Sequence, residues 1–76
     1  MVTAGMMPRA ALREVEHRLA AAGCPDADFD AGELFRLVVG QDVRLASEPL
    51  TAAQAERLEA LTGRKLDEAK LREAIT

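Results

Sequence analysis

The stretch Asp28-Phe-Asp-Ala-Gly-Glu-Leu-Phe-Arg-Leu-Val-Val-Gly40 decides the fold, because its apolar side chains recur with the period of an α-helix. Residues at positions i, i+3, i+4 and i+7 form its apolar stripe, namely Ala31, Leu34, Phe35 and Val38. Three more apolar residues widen that stripe: Phe29, Leu37 and Val39. A helix that is apolar on several sides is expected to be central, here over residues 28–39, with Gly40 at its C-terminal end.

Another amphipathic helix is predicted before the central one, over Pro8–Ala22. Its first residue suits the first turn of a helix, where the missing N–H of proline costs nothing. Spacings of three and four place one set of residues on a single apolar face: Leu12, Val15, Leu19 and Ala22. Gly23 is expected to cap this helix, and Pro25 prevents its continuation. The carboxylate of Asp26 or Asp28 is then expected to cap the central helix.

Two helices are predicted after the central one. The segment Leu50-Thr-Ala-Ala-Gln54 is a capping-box signal, in which the Thr51 hydroxyl accepts a hydrogen bond from the Gln54 amide and the Gln54 side chain reaches back. This helix is expected to end at Gly63, since glycine often terminates a helix. A last helix is expected over residues 66–76.

These elements predict one all-α domain over residues 8–76, an orthogonal or up-down bundle of four to five short helices. Residues 41–48 are expected to contribute a single short helical turn. Residues 1–7 are expected to be disordered or to have been added for expression. The predicted core consists of Leu12, Val15, Leu19, Ala31, Leu34, Phe35, Val38, Leu58 and Leu61.

Composition limits the classes of function. Apolar residues make up 49% of the 76-residue chain, which argues against disorder. The formal net charge of −3 argues against a non-specific nucleic-acid binder, which usually carries a basic surface. No run of about 18 apolar residues is present to span a membrane. The single cysteine, Cys24, cannot form an intrachain disulfide, so a reducing, cytoplasmic location is expected.

The sequence lacks the combinations of residues that known catalytic and metal sites require. No catalytic, metal or cofactor residue is therefore predicted. His17 and Cys24 could act as a nucleophile pair only if the fold brought them within hydrogen-bond reach beside a third, orienting group. The acidic run Asp26-Ala-Asp-Phe-Asp-Ala31 has the start of a calcium loop, but alanine stands where that loop needs glycine. A helix N-terminus enriched in acids accounts for the run. Neither a dinucleotide-binding glycine motif nor a Walker motif occurs.

Three motifs in register resemble the N-terminal region of the HemK-type release-factor glutamine methyltransferases. They are Leu19-Ala-Ala-Ala-Gly23, Asp30-Ala-x-x-Leu-Phe-x-x-Val-Val-Gly40 and Leu50-Thr-x-x-Gln-x-x-x-Leu-x-x-Leu61. Each motif alone is typical of any amphipathic helix, so the resemblance lies in their order and spacing. It covers residues 9–62, most of the chain.

The resemblance implies a small helical bundle joined to a Rossmann-like domain that uses S-adenosylmethionine to methylate a glutamine of peptide-chain release factors. The active-site motif of that family, Asn-Pro-Pro-Tyr, is missing, since the sequence contains neither Asn nor Tyr. No catalytic or cofactor residue therefore carries over, and S-adenosylmethionine would belong to the parent enzyme. The core positions that carry over are Leu19, Ala31, Leu34, Phe35, Val38, Leu58 and Leu61. Residues 63–76 depart from the family pattern.

The leading hypothesis is a non-catalytic domain that recognises or positions the release factor for the catalytic domain of its parent enzyme. The alternative is a stand-alone helical protein–protein interaction module. An independent enzyme is a third reading, which the missing residue types disfavour. The partner is expected to be a protein rather than a nucleic acid or a membrane. The residues that contact it, the oligomeric state and the role of residues 63–76 stay open.

Overall fold

The computed structural model describes residues 1–75, which form three α-helices and no strand. Helix α1 spans Pro8–Ala21, α2 spans Ala27–Val39 and α3 spans Ala52–Ile75. The predicted all-α class is confirmed, whereas the predicted number of four to five helices is wrong. Helix α1 packs mainly against α2, and α3 packs more extensively against α2 than against α1. None of these helices combines the length and the apolar character needed to cross a membrane.

The number of helices is smaller because α3 continues through Gly63. The two helices predicted on either side of this glycine are therefore one. Glycine in a helix interior costs only about 1 kcal/mol relative to alanine, and no proline follows Gly63 to stop the helix. Residues 41–48 hold a single turn, in which the amides of Leu45 and Ala46 donate to the Asp42 carbonyl at 2.9 and 3.1 Å. This turn does not extend into a further helix.

The C-terminal ends of α1 and α2 depend on glycines with positive φ. Helix α1 ends in a Schellman motif, in which the Cys24 amide donates to the Leu19 carbonyl and the Gly23 amide donates to the Ala20 carbonyl, both at 3.0 Å. The φ angle is +87° at Gly23 and +83° at Gly40. Glycine adopts such angles without the steric cost of a Cβ atom, so both helices end where the sequence predicts a cap.

The N-terminal ends of α2 and α3 are capped differently. Helix α3 begins with the predicted capping box: the Gln54 amide donates to Thr51 Oγ1 at 3.1 Å, and the Thr51 amide donates to Gln54 Oε1 at 3.0 Å. The cap predicted for Asp26 is wrong, because this residue occupies the N-cap position of α2 but its carboxylate accepts no capping hydrogen bond. Its ψ of 47° lies outside the extended region from which a cap side chain reaches the first turn. The Asp28 carboxylate accepts a hydrogen bond from the Phe29 amide at 2.9 Å.

The core lies where the three helices meet. Its buried apolar residues are Val2, Ala11, Val15, Leu19, Ala27, Ala31, Leu34, Phe35, Leu50, Ala55 and Leu58. Six of the predicted core residues are among them, and the other three pack partly buried at the edge: Leu12, Val38 and Leu61. Thr62 is also buried, and its hydroxyl donates to the Leu58 carbonyl at 2.7 Å. A buried polar group with a hydrogen-bond partner does not carry the cost of an unsatisfied one.

Residues 1–6, which we call the strap, pack against the helices, contrary to the expectation of a disordered segment. Val2 is only 2% exposed and belongs to the core. The Gly5 amide donates to the Leu50 carbonyl at 2.8 Å, and the Leu50 amide donates to the Met6 carbonyl at 2.9 Å. The Val2 amide also donates to Glu59 Oε1 at 2.9 Å, and the Met1 ammonium pairs with Glu14 Oε2 at 2.6 Å. The strap therefore contacts α1, α3 and the segment that precedes α3.

Candidate functional site

The side chains with catalytic potential do not meet. His17 is exposed on α1, whereas Cys24 is half-buried beyond the end of that helix, and the two line different surface cavities. Within residues 1–75, no group of three or more His, Cys, Asp or Glu side chains is placed to hold a metal ion. Asp28 and Asp30 of the acidic run lie in the first turn of α2. The stronger candidate for a functional site within the described residues is a surface of α2.

The side of α2 that faces away from the core carries two large, exposed apolar side chains. Phe29 is 63% exposed and Leu37 is 61% exposed. The eight-residue separation between them corresponds to about 12 Å along a helix. Together with Glu33, Arg36 and Lys65 they line an open cavity of about 620 Å³ beside α3. We call the four of these residues that belong to α2, namely Phe29, Glu33, Arg36 and Leu37, the α2 face.

Charged groups lie beside the apolar side chains of the α2 face. Arg36 Nη2 donates to Glu33 Oε1 at 2.6 Å, in a pair whose two side chains are about half exposed. An exposed ion pair contributes only about 0–1 kcal/mol, so the fold does not depend on this one. Lys65 adds a positive charge from α3. In protein interfaces, aromatic side chains and Arg are enriched in the core and the rim is polar.

The sequence prediction that Phe29 and Leu37 widen a buried stripe is wrong. Each residue of an α-helix is rotated by about 100° from the one before it, so Phe29, Glu33 and Leu37 fall in one sector. Ala31 and Phe35 fall in the opposite sector, which faces the core. The apolar composition of α2 predicts that Phe29, Ala31, Phe35 and Leu37 are all buried. Their angular positions instead place Ala31 and Phe35 on the inner side of the helix and Phe29 and Leu37 on its outer side.

A second group of side chains joins α1, α3 and the strap. Arg18 of α1 donates twice to Glu59 of α3, from Nη1 to Oε1 at 2.6 Å and from Nη2 to Oε2 at 2.8 Å. The Val2 amide donates to Glu59 Oε1 at 2.9 Å. The Arg18 hydrogen bonds are the main reason that the pKa of Glu59 falls from 4.5 to about 2, and partial burial opposes them. This group fixes α1 relative to α3, so we assign it a structural role.

Sequence reasoning did not single out Arg18 and Glu59. They lie 41 residues apart on different helices, and each resembles any other charged residue of an amphipathic helix. Only the packing of α1 against α3 brings them together.

No family model, no curated protein and no solved structure matches this chain. The resemblance to the HemK-type N-terminal region therefore depends on the three sequence motifs alone.

Proposed function

We propose that this chain is a non-catalytic helical domain that positions a protein substrate, the peptide-chain release factor, for a HemK-type glutamine methyltransferase in the cytoplasm. The observation that carries the proposal is the α2 face, which presents Phe29 and Leu37 to solvent. Exposed aromatic and large aliphatic side chains that lie together are typical of sites of protein contact. S-adenosylmethionine would bind in the catalytic domain of the parent enzyme and not in this chain.

The positions of the three motifs support the proposal. Leu19–Gly23 lies in the Schellman end of α1, Asp30–Gly40 covers most of α2 and its cap, and Leu50–Gln54 contains the capping box of α3. Residues that set helix ends and the core are those that two proteins with the same bundle would share. The resemblance to the HemK-type region therefore lies at positions that set helix ends or belong to the core.

The second candidate is a stand-alone protein–protein interaction module. The length of α3 favours it, because α3 continues through Gly63 to Ile75, whereas the HemK-type family usually turns there towards its catalytic domain. The α2 face would bind a protein in either case. A reading frame that continues beyond residue 76 into an Asn-Pro-Pro-Tyr motif would favour the methyltransferase, and a frame that stops would favour the module.

The test changes the α2 face in the complete methyltransferase. The double variant Phe29→Ser/Leu37→Ser should raise KM for the intact release factor about tenfold, since the loss of two contact side chains costs more than about 1 kcal/mol. The KM values for S-adenosylmethionine and for a short glutamine-containing peptide should stay unchanged. Leu45→Ser is the matched control, because Leu45 is 74% exposed but lies outside the α2 face.

Two results would contradict the proposal. One is an equal rise in KM for the release factor and for the short peptide, which would mean that the face does not recognise the intact protein. The other is an effect of Leu45→Ser as large as that of the double variant, which would mean that any loss of exposed apolar surface has the same result.

A further inference from the structure

The strap lies on the helices as a bound peptide would. The side chain of Val2 is buried in the core, and its amide donates to Glu59 Oε1 at 2.9 Å. Three residues further on, the Gly5 amide donates to the Leu50 carbonyl, and the Leu50 amide donates to the Met6 carbonyl. The groove under the strap therefore offers an apolar pocket, a carboxylate that accepts an amide hydrogen, and a backbone donor and acceptor at Leu50.

The strap is attached by one fully buried side chain, by three hydrogen bonds of its backbone to Glu59 and Leu50, and by an ion pair between the exposed Met1 ammonium and Glu14 Oε2 at 2.6 Å. An exposed ion pair contributes only about 0–1 kcal/mol. Val2 is its fully buried side chain, whereas Thr3, Ala4 and Gly5 are exposed and Met6 is half-buried. The other buried core residues belong to the three helices and to Leu50. If the strap left, Glu59 would keep both hydrogen bonds from Arg18, and the contacts between helices would remain. A segment held in this way is expected to open without global unfolding.

We infer that the strap is displaceable and that the groove beneath it is a binding site for an extended peptide segment with a small branched apolar side chain. The strap itself shows the chemistry that the groove selects. The residue in the pocket has the size of valine and a free amide hydrogen, which excludes proline. A backbone amide three residues further on must face the Leu50 carbonyl. This site is separate from the α2 face and does not depend on the function proposed for that face.

Amide hydrogen exchange on the full chain tests whether the strap opens. The Leu50 amide reports on the strap because it donates to the Met6 carbonyl. The fraction of time in which the Leu50 amide is open to exchange should be at least tenfold larger than for the amides of Val15 and Leu58, which lie inside α1 and α3. Exchange of the Leu50 amide at the rate of those helical amides would overturn the inference, because the strap would then open only when the protein unfolds.

Peptide binding tests the groove. The full-length variant Val2→Asp should release the strap, since a charged carboxylate is costly in an apolar pocket. A peptide with the sequence of residues 1–6 should then bind saturably and shift the amide resonances of Leu50 and Glu59. The same peptide carrying Val2→Asp should bind at least tenfold more weakly, as expected for the loss of one buried valine. Equal affinity of the two peptides, no binding at millimolar concentration, or unfolding of the full-length variant would each overturn the inference.

Discussion

Replacing Glu59 with Gln should destabilise the protein in a manner that depends on pH. Two hydrogen bonds from Arg18 and one from the Val2 amide stabilise the ionised carboxylate, and its pKa falls from 4.5 to about 2. The pKa in the folded state is thus lower than in the unfolded chain. The carboxylate therefore stabilises the fold fully above a pH of about 4.5, and this stabilisation is lost as the pH falls towards about 2.

The shift also sets the size of the effect. At about 1.4 kcal/mol for each pKa unit, the change from 4.5 to about 2 corresponds to roughly 3 kcal/mol as an upper limit. The Arg18 and Glu59 side chains are each 25% exposed, so water screens part of the interaction. We expect about 2 kcal/mol at neutral pH after this screening. In a domain of this size, that is a large share of the total stability.

Urea unfolding of the parent chain and of Glu59→Gln, at about pH 6 and about pH 2.5, measures this effect. The difference in the free energy of unfolding should be about 2 kcal/mol at the higher pH and less than about 1 kcal/mol at the lower pH. Glu33→Gln is the matched control, because Glu33 pairs with Arg36 on the surface; it should change the stability by less than about 0.5 kcal/mol. The same difference at both pH values would refute the assignment to the charge of Glu59.

Three further predictions concern the helices. Phe35→Ala should cost about 3–5 kcal/mol, because the ring is buried, whereas Leu37→Ala on the exposed side of α2 should change stability by less than about 0.5 kcal/mol; equal melting temperatures would contradict the orientation of α2. Thr51→Ala should cost about 1 kcal/mol through loss of the cap, and an unchanged urea midpoint would count against that cap. Gly40→Ala should destabilise by about 1–2 kcal/mol because of its positive φ, whereas Gly63→Ala should stabilise by about 0.5–1 kcal/mol; effects of the same sign would contradict the backbone described.

The limits of α1 and α2 could be predicted because the signals that set them are local. Gly23 follows the last turn of α1 and Pro25 comes soon after it, so the helix has no way to continue. The periodic apolar residues of α2 stop at Gly40. The observed ends lie within one residue of the predicted ones: α1 spans Pro8–Ala21 and α2 spans Ala27–Val39.

The continuation of α3 through Gly63 could not be predicted from the residue type alone. Gly23 and Gly40 adopt positive φ and end helices, whereas Gly63 stays helical. The difference comes from the residues that follow, since Leu66 packs partly buried against the core and keeps α3 in register. The burial of Val2 could not be predicted either. A single apolar residue has no periodicity, and the hydrogen-bond partner of Val2, Glu59, lies 57 residues away. The residues of the α2 face were visible in the sequence, but only their angular positions on α2 reveal their exposure.

The position of the strap also implies an order of events in folding. Helices α1 and α2 are joined by a short connection, so their contacts form early at a small cost in chain entropy. Val2 can dock only after α3 has packed against α1, because its partner Glu59 belongs to α3. We therefore expect the strap to dock after the transition state has been crossed. Weakening it should speed unfolding and leave the refolding rate nearly unchanged, so the strap governs the lifetime of the native state more than the time needed to reach it.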